Sequence, residues 1–329
     1  MFTDLPLADL LAYRYDGAEP DDFDTFWEET LGQARRAAGP PVLRPVPTGL
    51  IHVDTYDVTF SGFDGQPVRA WLWLPRGVRR PVPAVVEYLG YGAARGSALR
   101  ATLWSSLGYA HLLMDSRGQS SAYGAADTPD GEIGPQAGGV LTRGVARPHD
   151  HYYRRLFTDA VRAVDTVAEL AEVDADRVVV KGGSQGGGIA LAVSGLHEGV
   201  AGACVDVPFL CHFRRATQIT DAHPYREITD YLQGRRDAVE EVFHTFSYLD
   251  GANFAARATA PVRFSVGLMD PVCPPSTVFA AYHRWGERTT GRVDKDIRVW
   301  EYSAHEGGGD HQTAEHASFI AGLTTHRPA

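Results

Sequence analysis

The 329 residues are 44% hydrophobic and 22% charged, a composition that fits a globular chain and excludes a disordered or fibrous one. A formal net charge of −10, with no basic cluster interleaved with aromatics, excludes nucleic acid and anionic membrane surfaces as partners. No apolar run approaches the roughly 20 residues of a membrane span. Met1–Leu11 lacks the basic region of a secretory signal, and Cys204, Cys211 and Cys273 are too scattered for a disulfide framework or a zinc ribbon. A cytoplasmic protein with reduced thiols is expected.

Taken in chain order, Phe23, Phe26, Trp27, Thr30 and Leu31 recur at helical spacing and predict an amphipathic helix over 21–36. With the flanking residues it forms an N-terminal helical extension of about residues 1–50. Pro40, Pro41, Pro45 and Pro47 predict a stiff extended connector. Two alternating segments, 55–60 and 68–74, flank the turn Ser61-Gly62-Phe63-Asp64-Gly65-Gln66 and predict an antiparallel hairpin. The compact apolar runs 82–88 and 109–115 predict buried parallel strands, with a crossover helix over 99–107 between them.

Ala160, Val161, Val164, Val167, Ala168 and Ala171 form the clearest helical stripe. Strands are predicted at 178–180, 202–207, 262–267 and 298–302, and a last helix at 311–323. Between the second and third of these strands, about 208–258, the pattern is helical without strand signals and predicts an insert over the sheet. Strands alternating with helices imply one α/β domain, a mostly parallel sheet covered on both faces.

The most informative segment is Val178-Val179-Val180-Lys181-Gly182-Gly183-Ser184-Gln185-Gly186. It reads strand, G-x-S-x-G, then helix, the layout of a nucleophile elbow. A sharp turn lifts the Ser184 hydroxyl clear of the sheet at a helix N-terminus, where backbone N–H groups favour developing negative charge. Other glycine-loop readings fail on residues. The only lysines, Lys181 and Lys295, do not follow glycine as a Walker loop requires, and no G-x-G-x-x-G begins at Gly182 or Gly186. Two lysines also leave little room for Schiff-base chemistry, with Lys181 the one candidate.

A serine nucleophile needs a base and an acid, and on this fold they follow in the order Ser, acid, His. Asp270 directly follows the predicted strand 262–267, which Asp206 and Asp250 do not match as well. His305 lies in the loop after the last strand, while His311 and His316 fall in the following helix and are expected to be solvated or supporting. A metal site from His305, Glu306, Asp310 and His311 lacks the H-E-x-x-H spacing. Oxyanion donors are expected from the amide of Gln185 and from the loop Leu89-Gly90-Tyr91-Gly92, with the Tyr91 amide as candidate. The Tyr91 ring either walls the acyl pocket or simply packs.

At this point the residues resemble a family. Arg117-Gly118-Gln119, Gly182-Gly183-Ser184-Gln185-Gly186 and His305-Glu306 look like the three-part signature of carbohydrate esterase family 7, the acetyl xylan esterases and cephalosporin C deacetylases. Phe23-Asp24-Thr25-Phe26-Trp27, Tyr152-Tyr153-Arg154-Arg155, Asn253-Phe254-Ala255-Ala256-Arg257 and Asp270-Pro271-Val272-Cys273-Pro274-Pro275 extend the resemblance over nearly the whole chain. It implies an α/β-hydrolase fold, with Ser184 as nucleophile, Asp270 as acid, His305 as base, and the amides of Tyr91 and Gln185 as oxyanion hole. It also implies removal of acetyl groups from small esters, including acetylated xylo-oligosaccharides and cephalosporin C, with no cofactor or metal.

The same resemblance implies a homo-oligomer, a hexamer, and gives Arg117-Gly118-Gln119 the part of a brace. The aromatics of the N-terminal helix and Trp71 and Trp73 offer either an association surface or packing on the chain's own sheet. Where many members have His-Gly-Tyr, this chain has Leu89-Gly90-Tyr91. From the residues alone, another hydrolase of this fold (a peptidase or lactone hydrolase) and a non-catalytic ligand-binding protein stay open.

Overall fold

A computed structural model of the chain describes residue 2 and residues 4–325. In chain order the helices are α1 (Leu7–Ala12), α2 (Phe23–Arg36), α3 (Leu103–Ser106), α4 (Tyr152–Ala168), α5 (Gln185–Leu196), α6 (Phe213–Ile219), α7 (Arg226–Gly234), α8 (Val239–Ser247), α9 (Gly251–Ala255), α10 (Pro275–Arg284) and α11 (Gly309–Thr325). The strands are β1 (Val42–Pro45), β2 (Val53–Ser61), β3 (Pro67–Pro75), β4 (Val82–Tyr88), β5 (Ala110–Met114), β6 (Gln119–Ser121), β7 (Gly124–Ala125), β8 (Gln136–Ala137), β9 (Val173–Gly183), β10 (Val200–Asp206), β11 (Val262–Gly267) and β12 (Lys295–Trp300).

Among the described residues, nine strands form one sheet in the order β1-β2-β3-β5-β4-β9-β10-β11-β12. The first four are joined antiparallel; from β5 onward every pairing is parallel. The inner strands β4, β5 and β10 are buried on both faces over most of their length, as is Val178–Val180 of β9, which is why they read as largely apolar runs. Alternation sorts their side chains. Ala84, Val86, Val178 and Val180 join the main core with α4 and α5, while Val85, Val179 and Cys204 pack with Trp104 and Ile320 on the other side.

α4 is buried almost all round, because the sheet lies on one side and α2 on the other. It starts on a cap from His151, whose Nδ1 accepts the Tyr153 amide at 3.0 Å. Burial holds the His151 imidazole pKa down at about 3, so it stays neutral and its Nε2–H donates to the Leu141 carbonyl at 3.0 Å. Four helices, α6 to α9, lie between β10 and β11 as the helical insert.

Several expectations change. The crossover helix expected over 99–107 shrinks to α3, of which the preceding segment is no part. The indole N–H groups of Trp71 and Trp73 take the carbonyls of Gly96 and Ala98 at 2.9 and 2.7 Å, so this stretch bonds to β3 rather than to its own next turn. The proline connector contains β1, an edge strand paired with β2, where proline does no harm. Strand β12 begins at Lys295, not Arg298, because an edge strand alternates charged and half-buried residues instead of showing an apolar run.

The association surface offered by aromatics is mostly core. Phe23, Phe26, Trp27 and Trp73 are buried. Trp27 donates its indole N–H to the Tyr248 carbonyl at 3.0 Å, and Phe23 packs edge-on to Phe254, so α2 clasps the insert. Trp71 alone is half-buried, under the Arg95 guanidinium. No described helix is long and apolar enough to cross a membrane.

Candidate active site

Ser184 sits between β9 and α5 with φ 56° and ψ −123°, angles that a residue with a β-carbon adopts only under strain. Glycine on either side is a steric demand. A β-carbon at Gly182 would meet the Gly186 carbonyl at 2.2 Å, and one at Gly186 would meet the Tyr88 carbonyl at 2.2 Å. The turn is tied at both ends: the Ser184 amide donates to the Asp206 carbonyl at 2.9 Å, and the Ser184 carbonyl accepts from the Gly188 and Phe209 amides at 3.0 and 2.9 Å.

The Ser184 hydroxyl lies 2.9 Å from His305 Nε2, and His305 Nδ1 lies 2.8 Å from Asp270 Oδ2. The other carboxylate oxygen of Asp270 accepts the amides of Val272 and Cys273 at 2.8 and 3.0 Å. Asp270 is fully buried and the His305 side chain is 33% exposed, so the chain of groups runs from the interior to the surface at Ser184. The two loops that carry Asp270 and His305 are stitched together. Gly267 admits the Ala304 carbonyl where a β-carbon would stand 2.2 Å away, and the Met269 amide bonds to the Ser303 carbonyl at 3.0 Å. Glu306 folds back on the Ala304 amide at 3.0 Å and shapes the histidine loop.

The loop Leu89–Gly92 lies against the elbow, because Gly186 leaves room for the end of β4. The amides of Tyr91 and Gln185 donate to no protein acceptor among the described residues. Gln119 joins the two walls: its side-chain carbonyl accepts the Gly92 amide at 2.7 Å, and its Nε2 donates to Gln185 Oε1 and to the Tyr152 hydroxyl, both at 2.8 Å. Gln185 Nε2 reaches back to the Leu89 and Gly90 carbonyls at 3.2 and 3.3 Å. Arg117 pairs bidentately with buried Asp159 at 2.6 and 2.7 Å, anchoring the loop that presents Gln119.

The rival acids are occupied elsewhere. Asp250 caps α9 and accepts the His212 amide at 2.9 Å; Asp206 accepts the Ser265 hydroxyl at 2.8 Å and lies 3.3 Å from His316. His316 is therefore fully buried behind the elbow, not solvated, whereas His311 is exposed. Lys181 is half-buried and lies 3.6 Å from Glu87, whose carboxylate and that of Asp206 outweigh burial and raise the amine's pKa. Such a protonated amine is no Schiff-base nucleophile. His305, Glu306, Asp310 and His311 are not gathered. Among the described residues the one cluster with metal-ligand spacing is Asp270, Cys273 and His305, the hydrogen-bonded group itself.

Two groups at the site escaped sequence reading. Cys273 places its thiol beside the Ser184 hydroxyl, and burial together with the Asp270 carboxylate pushes the thiol pKa well up, so it stays protonated. Its place three residues after Asp270 was the available signal. Glu227, in the insert, accepts the Tyr91 hydroxyl at 2.7 Å; nothing in the sequence pairs these positions. The Tyr91 ring also packs edge-on to Phe209.

A family model for acetyl xylan esterase (AXE1) matches residues 1–323. The chain belongs to the acetyl xylan esterase family. An acetyl xylan esterase from Paenibacillus sp. R4 is 36% identical, with 97% of this chain and 99% of that one covered and a TM-score of 0.87. Acetyl xylan esterase 1 from Thermoanaerobacterium sp. JW/SL YS485 is 31% identical, with the same coverage and TM-score. The acetyl esterase Axe7A of Xylanibacter ruminicola is 27% identical over 289 residues, and the match spans 60% of that protein's length. The family is one of carboxylic ester hydrolases, and its structures share the α/β-hydrolase fold described above.

Proposed function

We propose that this chain is a serine esterase that removes acetyl groups from small acetylated carbohydrates through an acetyl-enzyme. The observation that carries the reading is the unbroken hydrogen-bond chain Ser184–His305–Asp270 at 2.9 and 2.8 Å, at a strained elbow beside two free amides. As Ser184 Oγ attacks the acetyl carbonyl, His305 Nε2 takes its proton. Asp270 accepts the Nδ1–H bond and stabilises the imidazolium. The carbonyl oxygen becomes an oxyanion and meets the Tyr91 and Gln185 amides. When the ester C–O bond breaks, His305 returns the proton to the departing sugar oxygen. Water repeats the sequence on the acetyl-enzyme and releases acetate.

Acetylated xylo-oligosaccharides are the proposed substrates, and the acetyl ester of cephalosporin C presents the same reacting group. A cytoplasmic hexamer is the proposed working form. The test is rates on acetylated xylo-oligosaccharides, cephalosporin C and an aminoacyl anilide, with light scattering on the same sample. Acetate release from the first at the highest kcat/KM supports the reading. Preference for the anilide overturns it in favour of a peptidase.

A further inference from the structure

The loop that carries the Tyr91 amide has glycine on both sides, with Gly92 at φ +72°. Left to itself such a loop samples many orientations, yet an oxyanion donor must be held within a few tenths of an ångström of its working distance. Three side-chain restraints act on the loop from elsewhere: Gln119 on the Gly92 amide, the Ser121 hydroxyl on the Gly92 carbonyl, and Gln185 on the Leu89 and Gly90 carbonyls. All three act on flanking residues. Tyr91 itself is held by its own side chain.

That hold centres on one carboxylate, with Phe209 packed edge-on to the ring. Glu227, in the first turn of α7, accepts the Tyr91 hydroxyl at 2.7 Å and the Gly139 amide at 2.9 Å on Oε1, and the Leu141 amide at 3.3 Å on Oε2. The Tyr91 hydroxyl in turn accepts the Val140 amide at 3.2 Å. Three segments distant in sequence meet there: the loop after β4, the stretch 139–141, and the helical insert. The insert also touches the nucleophile, through the Phe209 amide on the Ser184 carbonyl at 2.9 Å. Burial, with the neighbouring Glu227 carboxylate, pushes the Tyr91 phenol pKa up, so the phenol remains a donor at every working pH.

We propose that Glu227 is a positioning residue: through the Tyr91 hydroxyl it fixes the aim of the Tyr91 amide, and so makes the oxyanion hole depend on the seating of the insert. The inference rests on the serine-esterase reading above. It says that an acidic side chain touching no reacting atom sets the rate of the acetylation step while leaving substrate binding nearly alone.

The experiment is pre-steady-state acetylation by p-nitrophenyl acetate in the wild type, Tyr91→Phe, Glu227→Ala, Glu227→Gln and the double variant Tyr91→Phe/Glu227→Ala. Outright loss of an oxyanion donor costs roughly 10²–10³ in rate, so a misaimed donor is expected to cost about 10- to 100-fold in Tyr91→Phe and in Glu227→Ala, with KM moving less than about 3-fold. Because both variants cut the same link, the double variant is expected to be no slower than the slower single. Glu227→Gln keeps an acceptor oxygen for the phenol and is expected to recover most of the loss.

Tyr91→Phe keeps the ring packing, so it carries the test even where Glu227→Ala does not fold. Acetylation at the wild-type rate in Tyr91→Phe, or losses that multiply in the double variant, would overturn the inference. Fluorophosphonate labelling of the wild type separates the two layers. Label on Ser184 with an unaffected Tyr91→Phe removes only the positioning role; no label on Ser184 removes the esterase reading beneath it.

Discussion

Backbone strain at Ser184 makes a prediction about stability rather than rate. Ser184→Ala and Ser184→Gly both delete the hydroxyl, so loss of the contact with His305 is common to the pair. They differ in the β-carbon. At φ 56° and ψ −123° a β-carbon costs about 1–3 kcal/mol, and glycine escapes that cost. Two terms oppose the gain. Glycine adds about 0.4–1 kcal/mol of unfolded-state entropy, and a lost methyl forfeits up to ~0.8 kcal/mol, less here because the residue is half-buried. The balance favours Ser184→Gly by about 1 kcal/mol. Urea unfolding followed by tryptophan fluorescence reads the difference as a higher midpoint at equal slope. An alanine variant as stable as the glycine variant, or more so, would refute the claim that the elbow stores strain.

Three further outcomes follow from contacts already described. Gln119→Leu leaves the Gly92 amide without an acceptor, while Gln185 Oε1 keeps the Tyr153 hydroxyl and the Tyr152 hydroxyl keeps the Arg117 carbonyl; it is expected to lose about 1–3 kcal/mol by urea unfolding, the cost of one unsatisfied buried group. Gly186→Ala drives a β-carbon to 2.2 Å from the Tyr88 carbonyl; it is expected to yield a protein that is unfolded or inactive by circular dichroism and ester hydrolysis, and a stable, active variant would contradict the elbow geometry. Glu87 is held at about 2, as Lys181 and His111 outweigh the opposing effect of burial. A depressed carboxyl stabilises the fold above its unfolded pKa and loses that contribution as pH falls toward the folded one. The stability gap between wild type and Glu87→Gln is therefore expected to be full at pH 7 and to close between pH ~4.5 and pH ~2; a gap that is constant across that window would contradict the pairing.

Some features were legible because local chemistry decides them. β4 and β11 read at their true limits, since strands buried on both faces are mostly apolar, here with only Glu87 in β4 and Arg263 and Ser265 in β11 breaking the run. The elbow read from its glycines, because contact distances at Gly182 and Gly186 permit nothing larger. Asp270 and His305 stand out by their places after strands, and the structure brings both into one hydrogen-bonded chain with Ser184.

What stayed hidden depends on partners far away in sequence. The segment before α3 has a helical pattern, but two indoles from β3 take its carbonyls. The sequence leaves His316 either solvated or supporting the site, and only the contact with Asp206 decides for the buried place. The sequence leaves Phe23 and Trp27 either on an association surface or packed on the chain itself, and the insert that covers them lies more than 200 residues away. The restraints on the loop Leu89–Gly92 lie 27 residues away at Gln119 and 136 away at Glu227, and no spacing rule joins such positions.

The central claim is that Ser184 carries the acetyl group. Rapid-quench mass spectrometry during turnover of p-nitrophenyl acetate tests it directly, with Ser184→Ala run in parallel. The account predicts one acetyl group on the peptide containing Ser184, formed in a burst equal to the chain concentration, and neither acetyl nor turnover in Ser184→Ala. Sustained hydrolysis by Ser184→Ala, or an acetyl group that maps to another residue during turnover, would contradict it.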